Sequence, residues 1–225
     1  MASAHRWVIE QTWKHVLFLH WKVDAALIQA SVPFELDLFE GQAVVSIVPF
    51  RMEGIRFPYC PTLPGVSQLW ELNLRTYVKV GGVRGIYFIT LDTDSKLGVF
   101  VAQKFFHLPY HLARIEAHVK ENAYGFASHR EKASLRLHAT LHQRRKSASA
   151  LDTWACERYS LFTRHGGKIF RGQVIHAPWE LEEASLDRID DQFSSLLPIK
   201  LTPTPLEVSY AQKLQVRFQP FEVVG

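Results

Sequence analysis

The chain has 225 residues, 47% of them apolar and 12% aromatic, including six Trp, with 21% charged. That supplies a sizeable core and excludes a disordered segment of high charge. The net charge of +4 is small and, apart from Arg144, Arg145 and Lys146, dispersed, without the dense basic stripe of a nucleic-acid footprint.

Two cysteines far apart, Cys60 and Cys156, make no metal motif and no disulfide framework, which fits a reducing compartment. The opening Met1-Ala2-Ser3-Ala4-His5-Arg6-Trp7 carries no signal-like apolar run, and no stretch reaches the ~18 apolar residues of a membrane span. The expectation is a soluble cytoplasmic protein forming one domain over residues 1–225, with neither a nucleic acid nor a membrane as partner.

Residues 14–21 read as a strand. Asp24 then caps a short helix containing Leu27 and Ile28, which stops before Pro33. Gly41 marks a turn and residues 43–49 a buried strand. Three prolines (Pro58, Pro61, Pro64) with Gly54 and Gly65 make residues 53–66 a loop. Residues 70–78, Trp-Glu-Leu-Asn-Leu-Arg-Thr-Tyr-Val, alternate strictly and form a strand with two unlike faces.

Gly81-Gly82 signals a hairpin into a strand over 86–91. Residues 99–106 read as a further apolar strand, after which Pro109 opens a short helix to about Ile115. Residues 134–142 alternate again, and 144–150 form a loop. His165-Gly166-Gly167 turns between strands over 158–163 and 168–176. The alternation of Leu214, Val216 and Phe218 makes the end of the chain a strand. The sum is a mainly antiparallel sheet, curled or closed, with a few short helices.

On the 70–78 strand, Leu72, Leu74, Thr76 and Val78 share one face, and Glu71, Asn73, Arg75 and Tyr77 share the other. Facing a cavity, the second row would offer a carboxylate, an amide, a guanidinium and a phenol to a small polar ligand. Facing water, it is the wet side of an ordinary sheet, and composition alone favours that. The His107/His111 and His138/His142 pairs lack the helical setting and the glutamate of a zinc site, so no metal or other cofactor is expected. No phosphate loop, dinucleotide fingerprint or nucleophile elbow is present. If Pro109 starts a helix, Tyr110 and His111 lie near its positive end, which favours anions.

Several segments, taken together, resemble a known family. They are Leu17-Phe-Leu-His-Trp21, Val32-Pro33, Leu36-Asp-Leu-Phe-Glu-Gly41, Val48-Pro-Phe50 and Glu71-Leu-Asn-Leu-Arg-Thr-Tyr-Val78, followed by Phe106-His-Leu-Pro-Tyr110, Glu157-Arg-Tyr159 and His176-Ala-Pro-Trp179. In this order they resemble the YqjF-like branch of the acetoacetate-decarboxylase-like superfamily over about four fifths of the chain. The resemblance implies a cone-shaped antiparallel β-barrel with a few short helices outside, α+β but mainly β, enclosing a pocket. Its active members form a Schiff base between a lysine and a β-keto acid.

That lysine belongs to a Pro-Lys-Lys-Leu segment, and the corresponding segment here is Pro109-Tyr110-His111-Leu112. Neither a phenol nor an imidazole forms an imine with a ketone, so the decarboxylase mechanism does not carry over. The family's active-site glutamate corresponds to Glu71, and a basic residue near its start aligns near Lys14. The expectation is therefore a protein that binds a small organic acid or carbonyl compound. If it is an enzyme, its chemistry is of the acid/base lyase or hydratase type, with Glu71, Tyr110 and His111 catalytic. Arg75, Asn73, Tyr77 and Lys14 would bind or orient the ligand. The alternatives are a non-catalytic ligand-binding or sensor module on the same barrel, and an oligomeric scaffold burying Trp7, Trp13 and Trp154 at subunit contacts. A homo-oligomer is expected in any case, because related enzymes assemble.

Overall fold

The computed structural model describes residues 7–59 and 68–225, most of them in strands. In chain order these are β1 (Ile9–Val23), α1 (Ala25–Gln29), β2 (Glu35–Leu36), β3 (Ala43–Arg56), β4 (Gln68–Val80) and β5 (Val83–Thr93). Then follow α2 (Lys96–Phe106), β6 (Tyr110–Leu112), β7 (Arg114–Lys120), β8 (Ala123–Arg130), β9 (Ala133–Arg145) and α3 (Ala150–Cys156). The chain ends with β10 (Ser160–His165), β11 (Lys168–His176), β12 (Glu182–Asp191), β13 (Glu207–Phe218) and β14 (Glu222–Val223).

Seven strands run side by side in the order β11-β10-β5-β4-β3-β1-β13, and a pairing of β11 with β13 through Val174–Phe218 and His176–Val216 closes them into a ring. The ring is antiparallel except where β10 runs parallel to β5. From β13 the sheet continues outward as a leaf, β12-β9-β8-β7.

The leaf explains why both faces of β4 are dry. Leu72, Leu74 and Val78 pack in one core with Leu17 and Leu19 of β1, Ile47 of β3, Tyr124 and Phe126 of β8, and Leu135 and Leu137 of β9. That core lies between the ring and the leaf. Each fully buried aliphatic side chain contributes about 1.5–3 kcal/mol relative to exposure. With the apolar face of β4 held against the leaf, period-two alternation turns Glu71, Asn73 and Arg75 into the ring. They are only 2%, 2% and 7% exposed. The wet-side reading of the polar row is thereby excluded.

Two sequence expectations are reversed. Residues 99–106 are not a strand but the body of α2, whose N-cap Ser95 accepts from the Gly98 amide at 3.0 Å. A short apolar run suits either element, and here the cap and the four-residue spacing of Leu97 and Val101 prevail. His107 ends the helix in the left-handed region at φ 53°.

Pro109 then opens a strand, not a helix. Its carbonyl accepts from the Leu91 amide, and Tyr110–Leu112 lie parallel to the end of β5. Tyr110 therefore begins a strand and is not in the first turn of a helix. The loop expected over 53–66 does not begin at Glu53, since β3 runs to Arg56; residues 60–67, with Cys60, lie outside the described residues. The pattern also assigned nothing to α3, which is secured by a reciprocal cap between Ser149 and Asp152. Trp7, Trp13 and Trp154 are each partly buried within the chain.

Candidate active site

A cavity of about 80 Å³ lies inside the ring, and every strand of the ring contributes to its wall. Strand β4 supplies Glu71, Asn73 and Arg75, β6 supplies Tyr110, and the end of α3 leads to Arg158 and Ser160. His176 and an aromatic wall complete it: Trp13 stacks on Trp179 at 6.0 Å, and Phe18 meets Trp179 edge-on at 4.9 Å. Among the described residues that line it there is no lysine. Lys104, the nearest in sequence to the Pro109 segment, is exposed on the last turn of α2.

Glu71 is the centre of a small acid/base group. The Tyr110 hydroxyl donates to its Oε2, and Asn73 Nδ2 donates to its Oε1 at 3.1 Å. Burial raises the Glu71 carboxyl to about 7, against the lowering effect of both hydrogen bonds and of the Arg75 charge. Burial, and then the neighbouring Glu71, hold the Tyr110 phenol well above its ordinary value. Near neutral pH the carboxyl is therefore poised between its two forms, and the phenol stays a donor.

Two guanidiniums line the same cavity. Arg158 is anchored behind the cavity: its Nη1 meets Asp37 Oδ2 at 2.6 Å and its Nε donates to the Trp154 carbonyl at 2.6 Å. Arg75 has no carboxylate partner among the described residues and lies 5.5 Å from the Phe18 ring centre and 5.7 Å from that of Tyr77. Four buried side-chain nitrogen or oxygen atoms lack a hydrogen-bond partner among the described residues: Arg75 Nε, Arg158 Nη2, Asn73 Oδ1 and Trp13 Nε1. All four belong to residues that line this one cavity. Each such orphan costs about 1–3 kcal/mol.

The structure brings together Glu71, Asn73, Arg75 and Tyr110, and separates the other candidates. His111 falls on the opposite face of β6, next to Asp92 in register, where it is exposed and feels Arg130 and Asp92. Lys14 points away because its neighbour Trp13 points in; its ammonium pairs with Glu53 at 2.6 Å. The parity of β1 changes one residue later, at a bulge where His15 takes φ 53°, so Val16 and Phe18 again face inward.

Tyr77 is fully buried but stands behind the wall. Its hydroxyl meets Ser46 Oγ at 2.8 Å, and Ser46 in turn meets His20 Nδ1 at 2.7 Å. Its ring supports both Arg75 and Arg158, the latter at 5.2 Å. Arg158 and His176 escaped the periodicity reading because neither lies on a strikingly alternating strand. The signal for them was that Glu157-Arg-Tyr159 and His176-Ala-Pro-Trp179 carried the family resemblance.

His20, Asp152 and Cys156 bring possible metal-ligand atoms within 4.8 Å of one another. Asp152 already accepts from Lys146 at 2.9 Å, Ser209 at 2.6 Å and the Ser149 amide at 3.0 Å. Burial raises the Cys156 thiol and drives His20 down to about 3. With Lys146 supplying the positive charge, the cluster is a completed structural network.

A family model described as an uncharacterized conserved protein, DUF2071, matches residues 10–215. The chain belongs to this family. The DUF2071 chain is 38% identical to the uncharacterized protein YqjF of Bacillus subtilis (strain 168) over 228 residues, covering 95% of this chain and 91% of YqjF. Among solved structures it resembles an acetoacetate decarboxylase from Legionella pneumophila, with a TM-score of 0.68 at 14% identity over 96% of this chain and 87% of that one. The enduracididine biosynthesis enzyme MppR complexed with pyruvate matches with a TM-score of 0.65 at 13% identity, over 100% of this chain and 93% of that one. At such identities the likeness shows the fold: this DUF2071 protein has the acetoacetate-decarboxylase-like architecture, mainly β with a few short helices.

Proposed function

We propose that this protein binds a small organic acid or carbonyl compound in the ring cavity and moves protons on it without forming an imine. The observation that carries the reading is that the four residues with orphan buried polar atoms among the described residues all line one cavity. Unpaired buried groups are rare in native proteins, and a guanidinium costs the most to leave so. A carboxylate seated between Arg75 and Arg158 would pair with the charge of both guanidiniums, whose planar fork suits two-point contact. Asn73 Oδ1 and Trp13 Nε1 then orient the remainder, one as acceptor and one as donor.

Glu71 is the proton-transfer group. With its carboxyl raised to about 7 it can take a proton from a carbon next to a carbonyl, or return one. Tyr110 donates to it in the empty site, and once Glu71 has taken the substrate's proton the single O–H can turn to the oxyanion that develops. Enolisation, hydration and lyase steps all use such a pair. An imine mechanism lacks support because the lining includes no amine nucleophile.

The test is calorimetry with pyruvate, acetoacetate and related acids, beside borohydride reduction of each mixture followed by mass spectrometry. Binding that weakens at least tenfold in Arg75→Met, with no reduced adduct on any lysine, is the expected result. Equal affinity in Arg75→Met overturns the carboxylate site, and a lysine adduct overturns the non-covalent chemistry. Bound acids recovered unchanged in every case would leave the binding-module alternative in its place.

A further inference from the structure

The cavity that holds Glu71 and Arg75 is one of two compartments. A second, of about 210 Å³, adjoins it and shares five wall residues with it: Gln11, Met52, Leu108, Tyr110 and Phe218. Its own wall is mostly apolar, built by Ile55, Leu69 and residues of α2, notably Leu97, Val101 and Phe106. No charged side chain lines it among the described residues. The two compartments meet at the acid/base group, since Glu71 of the polar chamber is the register partner of Thr93, which lines the apolar one.

We propose that the natural ligand is an amphipathic acid, its carboxylate on the Arg75 side and an apolar chain or ring in the compartment under α2. This rests on the carboxylate site of the preceding subsection and adds the substrate class. The two adjoining spaces complement each other chemically. The chamber under α2 offers no charged side chain among the described residues to hold an ionic group, and the chamber of Glu71 and Arg75, at about 80 Å³, is too small to house a bulky molecule. A single ligand that spans both gains apolar burial on one side and charge pairing on the other. It also carries its middle carbons past Tyr110, which lines both chambers and bonds to Glu71, so the bond to be activated lies beside the proton-transfer pair.

Calorimetry with straight-chain 2-oxo acids, from pyruvate to 2-oxooctanoate, tests this, with 2-octanone as the control lacking a carboxylate. Each added methylene should tighten binding about threefold to fourfold until the chamber is full. Val101→Trp and Leu97→Trp, which fill the chamber from two positions on α2, should each remove that gain. Pyruvate binding with no gain on lengthening overturns the inference and leaves the carboxylate site standing. Binding of 2-octanone as tight as that of 2-oxooctanoate, or an undiminished gain in both Trp variants, also overturns it. If no acid of the series binds, the carboxylate site itself falls and this inference with it.

Discussion

Tyr110 donates to Glu71 although the two residues are 39 apart in sequence and sit on strands that never pair with each other. Strand β5 lies between them, with Glu71 opposite Thr93 on one side and Tyr110 opposite Leu91 on the other. The contact exists because β6 joins the edge of β5 in parallel register, which points alternate side chains of β4 and β6 into the same chamber. Removing the phenol takes away a bond that favours the charged carboxylate. Tyr110→Phe should therefore raise the Glu71 carboxyl above about 7, and its titration, followed by carbon-13 NMR of labelled glutamate, reads the shift directly.

The stability of the unliganded protein should carry the mark of Glu71. Its folded-state value is raised from 4.5 to about 7, so between these two pH values the folded form holds more proton than the unfolded one. Its contribution is therefore full below about 4.5, is lost as pH rises through 7, and totals on the order of 3 kcal/mol. Urea unfolding of the wild type and of Glu71→Gln across this window should give a difference that shifts toward the variant as pH rises. A flat difference would mean that the carboxyl titrates normally.

His20 works in the opposite sense. Burial, and then Arg75, lower it from 6.5 to about 3, so the folded protein resists protonation there. Its share of stability is present above 6.5 and is lost as pH falls toward 3. His20→Gln should be destabilised at pH 7, where its bond to Ser46 is altered, yet lose less stability than the wild type on acidification. Parallel melting curves at pH 7 and pH 4.5 measure both effects.

Arg75 should prove costly to the empty protein. It is buried and has an unpartnered Nε, so Arg75→Met, which keeps much of the volume and packs on Phe18, should leave stability unchanged or raise it by about 1–3 kcal/mol. A structural arginine would behave otherwise, losing several kcal/mol on the same substitution. Chemical denaturation of ligand-free samples separates the two.

Closure of the ring depends on a close approach at Gly85. A methyl group there would lie 2.8 Å from the Ser160 carbonyl and 2.6 Å from the Phe162 ring. The ring can turn, but the backbone of β10 cannot retreat without loosening its parallel pairing to β5. Gly85→Ala is expected to cost about 1–3 kcal/mol, measured as a shift of the urea midpoint.

What the sequence determined by itself was alternation, and with it the membership of each face of β4: Leu72 and Leu74 together, Glu71, Asn73 and Arg75 together. Period two is a local property of an extended chain, so it survives any tertiary arrangement. The family resemblance added the ring and pointed to Glu71. Local pattern could not separate strand from helix over 99–106, because a short apolar run suits both and the Ser95 cap was needed to settle it. Nor could it place Pro109–Leu112 beside β5. Only the tertiary structure decided which face of β4 looks inward, that Tyr110 reaches Glu71 while His111 and Lys14 point elsewhere, and that Arg158 joins Arg75. Those outcomes depend on which surface the β7–β9 leaf covers, on a one-residue bulge at His15 and on pairings between distant strands. Such long-range contacts leave no trace in the spacing of neighbouring residues.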